Sequence, residues 1–104
     1  MEVTISSRGV EPSAALVAAT RRKIGRLSRF SDTIEVARVH FSEQKNPRIV
    51  EREVCEVVLE GHGQRVRCKV AAADGFGALD LAVEKLEHQL SKLKARLAPH
   101  GPRG

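Results

Sequence analysis

Residues 54–70 read Val54-Cys55-Glu56-Val57-Val58-Leu59-Glu60-Gly61-His62-Gly63-Gln64-Arg65-Val66-Arg67-Cys68-Lys69-Val70, two β-rich runs joined by a His-Gly pair. Alternation with a period of two marks a half-buried strand. Cys55, Val57 and Leu59 share one face of the first run, and Val66, Cys68 and Val70 share one face of the second. Setting Leu59 opposite Val66 and Val57 opposite Cys68 puts both apolar sets on one side. It leaves a two-residue turn, His62-Gly63. The same register faces Glu60 with Arg65 and Glu56 with Lys69, and opposite charges across strands favour pairing. Cys55 and Cys68 then lie on a diagonal and read as small core residues. Their spacing suits no metal-binding pair.

Upstream, Thr33 to Ser42 also alternates, with Val39 and Phe41 on one side and Arg38 and His40 on the other. Ser42 to Arg48, containing Asn46-Pro47, reads as a loop before a strand from Val50 to Glu60. Val3 to Ser6 forms a short strand. Glu11-Pro12-Ser13 supplies a helix start. The helix runs to about Arg29, with Leu16, Thr20, Ile24 and Leu27 on one face. Downstream, Asp74 caps a helix over Gly75 to Leu97, where Leu79, Val83, Leu86, Leu90, Leu93 and Leu97 recur at steps of four and three. The order β-α-β-β-β-α predicts an α+β fold, a four-stranded sheet with two helices packed on one face. A chain of 104 residues fits one core. Residues 1–97 are expected to form the domain, and 98–104, rich in Pro and Gly, a linker-like tail.

Lys and Arg number 18 against 13 Asp and Glu, a net charge of +5. Such a balance favours polyanionic partners. The longest apolar run, Ala14 to Ala19, is far short of the ~20 residues that span a bilayer. The first residues, Met1-Glu2-Val3-Thr4, lack the regions of a secretion signal. A cytoplasmic protein with no membrane partner is expected. The histidines, His40, His62, His88 and His100, show no metal spacing. No nucleophile elbow, phosphate loop or paired catalytic carboxylate is present. A binding protein without metal or cofactor, and not an enzyme, follows as the expectation. With three Phe and neither Tyr nor Trp, RNA binding is expected to use phosphates, sugars and shape rather than base stacking.

Helix one carries Arg21, Arg22, Lys23, Arg26 and Arg29 and no acid after Glu11. At about 100° per residue, Arg22, Arg26 and Arg29 form a stripe nearly opposite the apolar face. A solvated face aided by the helix dipole explains some of this, and phosphate binding explains the rest. Helix two carries Lys85, Lys92 and Arg96 on a second stripe, flanked by His88 and Gln89, roughly 120° from the leucine face. Asp80, Glu84 and Glu87 fall mostly elsewhere. Side by side on a sheet, the two helices are expected to bring the stripes into one surface.

Over Val3 to Leu97 the chain resembles the N-terminal domain of the ribosome hibernation promoting factors, also called the ribosome-associated inhibitor or sigma-54 modulation family. The signature is Asp74-Gly75-Phe76-Gly77-Ala78-Leu79-Asp80 followed by Leu81-Ala82-Val83-Glu84-Lys85-Leu86-Glu87-His88-Gln89-Leu90. Ile5-Ser6-Ser7-Arg8-Gly9-Val10-Glu11 and Lys23-Ile24-Gly25-Arg26-Leu27 are similar to two further family segments. His88 stands where many members have Arg, exchanging a permanent cation for a titratable group. Phe76 replaces a usual Tyr, Gly77 an Ala and Ser7 a Gly. The resemblance implies binding to the small ribosomal subunit and its 16S rRNA, in the mRNA and tRNA channel at the A and P sites. It implies inhibition of translation in non-growing cells. Dimerisation of ribosomes is implied only where a C-terminal domain follows. The implied rRNA contacts are Arg22, Lys23, Arg26 and Arg29 from helix one. From helix two they are Lys85, His88, Gln89, Lys92 and Arg96. The alternative is a general double-stranded-RNA-binding module, which shares the αβββα order but typically begins its second helix with lysines.

Overall fold

The computed structural model describes residues 1–97, with side chains through residue 94. The elements are β1 (Glu2–Arg8), α1 (Ala14–Gly25), a 3-10 turn (Arg26–Arg29), β2 (Val36–Glu43), β3 (Glu53–Gly61), β4 (Gln64–Ala72) and α2 (Gly75–Leu97). The expected order is observed. The expected tail, 98–104, lies outside the described residues.

The four strands lie in sequence order, with β1 parallel to β2 and the other pairs antiparallel. The hairpin register is the one the alternation predicts: Leu59 faces Val66, Val57 faces Cys68, Glu60 faces Arg65 and Glu56 faces Lys69. His62 (φ 50°) and Gly63 (φ 76°) both occupy the left-handed region, as the favoured two-residue hairpin turn requires. Glu56 takes Arg67 as its ion partner at 2.6 Å rather than Lys69, because the long guanidinium arm reaches along the diagonal.

Ala37, Val39, Phe41, Cys55, Val57, Leu59, Cys68 and Val70 form the inner face of the sheet and join residues of both helices in one core. Ser13 caps α1 by accepting from Leu16 N at 3.1 Å. The predicted helix to Arg29 tightens into the 3-10 turn over its last residues, a common ending. Leu16, Thr20, Ile24 and Leu27 are buried. The buried Thr20 hydroxyl donates to the Leu16 carbonyl at 2.7 Å, so the polar group is satisfied.

Asp74 caps α2: its Oδ1 accepts from Gly77 N at 2.7 Å. Leu79, Leu86 and Leu90 are buried, Val83 and Leu93 partly so. Ala78 and Ala82 are fully buried as well. These small residues let α2 lie close to the sheet, and the Cys68 thiol donates to the Ala82 carbonyl at 3.7 Å. The strand starts differ from expectation. β2 begins at Val36 and β3 at Glu53, although Glu35 still bonds Glu2 N and Glu60 O through its backbone and the Arg52 carbonyl accepts from Gln44 N.

Candidate nucleic-acid interface

The cations of helix one divide into two groups. Arg21 donates through Nη1 to the Val3 carbonyl at 2.9 Å and ties α1 to the edge strand β1. Lys23 is bound to Asp80 Oδ1 of α2 at 2.5 Å. Arg22, Arg26 and Arg29 are exposed and have no ion-pair partner among the described residues. The stripe predicted from periodicity is therefore a cationic face without ion pairs among the described residues, although Arg26 also borders the acids of α2. Lys23, expected beside it, is already half-neutralised.

Helix two presents two different flanks. Asp80, Val83, Glu84 and Glu87 line the seam against Lys23 and Arg26 of helix one. Lys85 lies about 160° around the helix from Glu87. That phase sets it on the flank away from helix one. Lys92, two turns on, shares that flank and is exposed. The expected merging of the stripes is thus corrected: an acidic seam and the outward ridge of α2 separate them. His88 is exposed and Gln89 half-buried. Arg96 is in α2, and its side chain lies outside the described residues.

The open face of the sheet also carries cations, of which the arginines Arg38, Arg65 and Arg67 are ion-paired, while the exposed Lys69 has no ion pair among the described residues. Glu60 takes both Arg38 and Arg65, Glu56 takes Arg67, and Ser6 Oγ bonds His40 Nδ1 at 2.8 Å. Surface pairs contribute little to stability. Two carboxylates offset only part of the charge of three arginines and Lys69, so the field that a polyanion would feel is reduced there.

Two of the three phenylalanines are accessible to solvent. Phe41 is buried, whereas Phe30 is half-buried and Phe76 is 44% exposed. Lys94 was not singled out by sequence. It shares the flank of Asp80 and Glu87, spaced from each by whole heptads, so helical phase alone assigns it to the side of helix one. The two cysteines are free and buried. Burial, aided by the neighbouring Cys68, pushes the Cys55 thiol up to about 12. Burial also raises Cys68, although a Val57 backbone hydrogen bond and the Lys85 charge offset part of the rise. No group of metal-ligating residues occurs among the described residues. No helix there is long and apolar enough to cross a membrane.

These features define a small α+β domain with one open cationic helix face. The family model described as "Sigma 54 modulation protein / S30EA ribosomal protein" matches residues 3–98, and the chain belongs to that family. It is 34% identical over 92 residues to a ribosome hibernation promotion factor of Deinococcus radiodurans, covering 88% of this chain and 48% of the relative. It is 32% identical over 102 residues to the factor of that name from Mycobacterium tuberculosis, covering 95% and 46%. The chain thus spans about half the length of the curated relatives it matches. Among solved structures, a ribosomal subunit interface protein from Coxiella burnetii superposes with a TM-score of 0.81 at 27% identity, covering 91% of this chain and 99% of that one. The Protein Y N-terminal domain of Thermus thermophilus gives 0.74 at 26% identity, covering 89% and 99%.

Proposed function

We propose that this chain binds the small ribosomal subunit through 16S rRNA, in the mRNA and tRNA channel at the A and P sites, and inhibits translation in non-growing cells. It acts as a cytoplasmic binding protein rather than an enzyme. The observation that carries the reading is the unpaired stripe Arg22, Arg26 and Arg29, on a chain whose relatives are named ribosome hibernation promotion factors. Arginines suit phosphate oxygens because the planar fork donates to two at once. Lys85 and Lys92, with His88 and Gln89 beside them, form the second contact line. Pairing of two ribosomes is proposed only for a protein in which a C-terminal domain follows these residues.

Sedimentation with purified ribosomal subunits at two salt concentrations tests the reading. Co-sedimentation with the small subunit, weakened at higher salt as displaced counterions return, is the expected outcome. Charge reversal of both Arg26 and Lys92 is expected to abolish it while the circular dichroism spectrum stays unchanged. Equal binding to any RNA duplex would instead support the general double-stranded-RNA module. Undiminished binding of the reversed variant would reject the two stripes.

A further inference from the structure

A cleft of about 600 Å³ opens where the 3-10 turn and the segment after it face the C-terminal half of α2 and the tip of the β3–β4 hairpin. Its size falls within the roughly 300–1,000 Å³ of small-ligand sites. Phe30, Leu90 and Leu93 give it an apolar wall. Arg29 and Lys94 bring positive charge to it, and Asp32 and Gln64 bring hydrogen-bonding groups. Of the lining hydroxyls, Ser28 Oγ donates to the Gly25 carbonyl at 3.0 Å, and Ser31 Oγ and Thr33 Oγ1 share one bond at 2.8 Å.

We propose that this cleft takes one unstacked nucleotide, with its base against Phe30 and its phosphate on Arg29 and Lys94. The proposal rests on the reading of the chain as an RNA binder and adds a base-reading site to it. Arg29 belongs both to the open stripe of helix one and to the cleft, so a strand following the stripe by its phosphates arrives at the opening. An aromatic wall with cations beside it matches a flat base joined to an anion. Asp32 sets the preference. A carboxylate repels phosphate, but it accepts from the N–H groups of a base. Guanine offers two adjacent donors on its Watson–Crick edge, whereas adenine offers only its amino group. Gln64 can donate and accept at once. Guanine is therefore the favoured base.

Titration of the ¹⁵N-labelled chain with guanosine monophosphate, adenosine monophosphate or ribose 5-phosphate, followed by amide shifts, tests the proposal without ribosomes. Guanosine monophosphate is expected to move the amides of residues 30–33 and Gln64 at lower concentration than its adenine counterpart. Ribose 5-phosphate is expected to leave Gln64 unmoved. Asp32→Asn and Gln64→Ala, both at exposed positions, are expected to keep spectral dispersion and weaken guanosine monophosphate about three- to tenfold each. Three results would overturn the site: no shift in the cleft at millimolar nucleotide, an equal response to ribose 5-phosphate, or an inert cleft whose amides move only when residues 98–104 are deleted. That last result would make the chain's own tail the occupant. A failure of subunit sedimentation with nucleotide binding intact would count against the ribosomal reading alone. The converse would count against the cleft alone.

Discussion

Gly61 closes β3 directly beneath the segment that leads into β2. A Cβ there would overlap the Thr33 carbonyl oxygen and lie 2.8 Å from Glu35 N, both backbone atoms. Gly61→Ala is therefore expected to cost at least about 1–3 kcal/mol, read as a lowered denaturation midpoint in urea. The turn beside it was legible in the sequence, because register alone left His62-Gly63 as the connection. The need for glycine at 61 was not, since Thr33 lies far along the chain and no local pattern reports two backbones in contact. Cys55 gives a prediction in pH. Its thiol is held up at about 12 in the fold, against an unfolded value near 8.5. Below the unfolded value both states are protonated and the fold suffers no loss. As pH rises towards 12, the unfolded thiol ionises first and stability falls, by up to about 1.4 kcal/mol per pH unit. Chemical denaturation between pH 8 and 11 is expected to show a shallower decline for Cys55→Ala than for the parent.

Helix α2 shows how far periodicity carries and where it stops. Leu79, Leu86 and Leu90 mark the core face and Asp74 the start, Val83 and Leu93 lie at the edge of that face, and the side chain of Leu97 lies outside the described residues. Ala78 and Ala82 carry no strong sequence signal of burial, yet these two residues set how closely the helix approaches β4. Periodicity sets the acids of α2 away from the lysine stripe, but it does not turn them towards helix one. That depends on which flank of α2 the crossover puts beside α1, a tertiary choice. The consequence is testable at Asp80. Asp80→Asn releases Lys23 and removes a negative charge from the seam. Stability is expected to change by less than about 1 kcal/mol, since the pair is exposed. RNA affinity is expected to rise, and the slope of log affinity against log salt to steepen by up to about one unit. Both are measurable by fluorescence anisotropy with a labelled RNA.

The molecule as a whole distributes its net charge of +5 unevenly. The open sheet face pairs its arginines with Glu56 and Glu60, and the helix seam is acidic. Among the described residues, cations without an ion pair line helix one and the far flank of α2, with Lys69 on the sheet and Arg8, Lys45 and Arg48 at its end and in the loop after β2. Total charge pointed to a polyanion, but only the fold shows which arginines are free to meet one. The sheet has a further consequence, in time rather than in space. β2, β3 and β4 are a meander of neighbours in sequence, whereas β1 reaches β2 only after the chain has travelled through α1, pairing Ser6 with His40 across 34 positions. Loop closure over that span must precede any reward from the pairing. The meander with α2 is therefore expected to assemble first and β1 to dock last and leave first. Native-state hydrogen exchange is expected to show β1 amides opening at lower free energy than those of β3, and uniform protection across the sheet would refute that order.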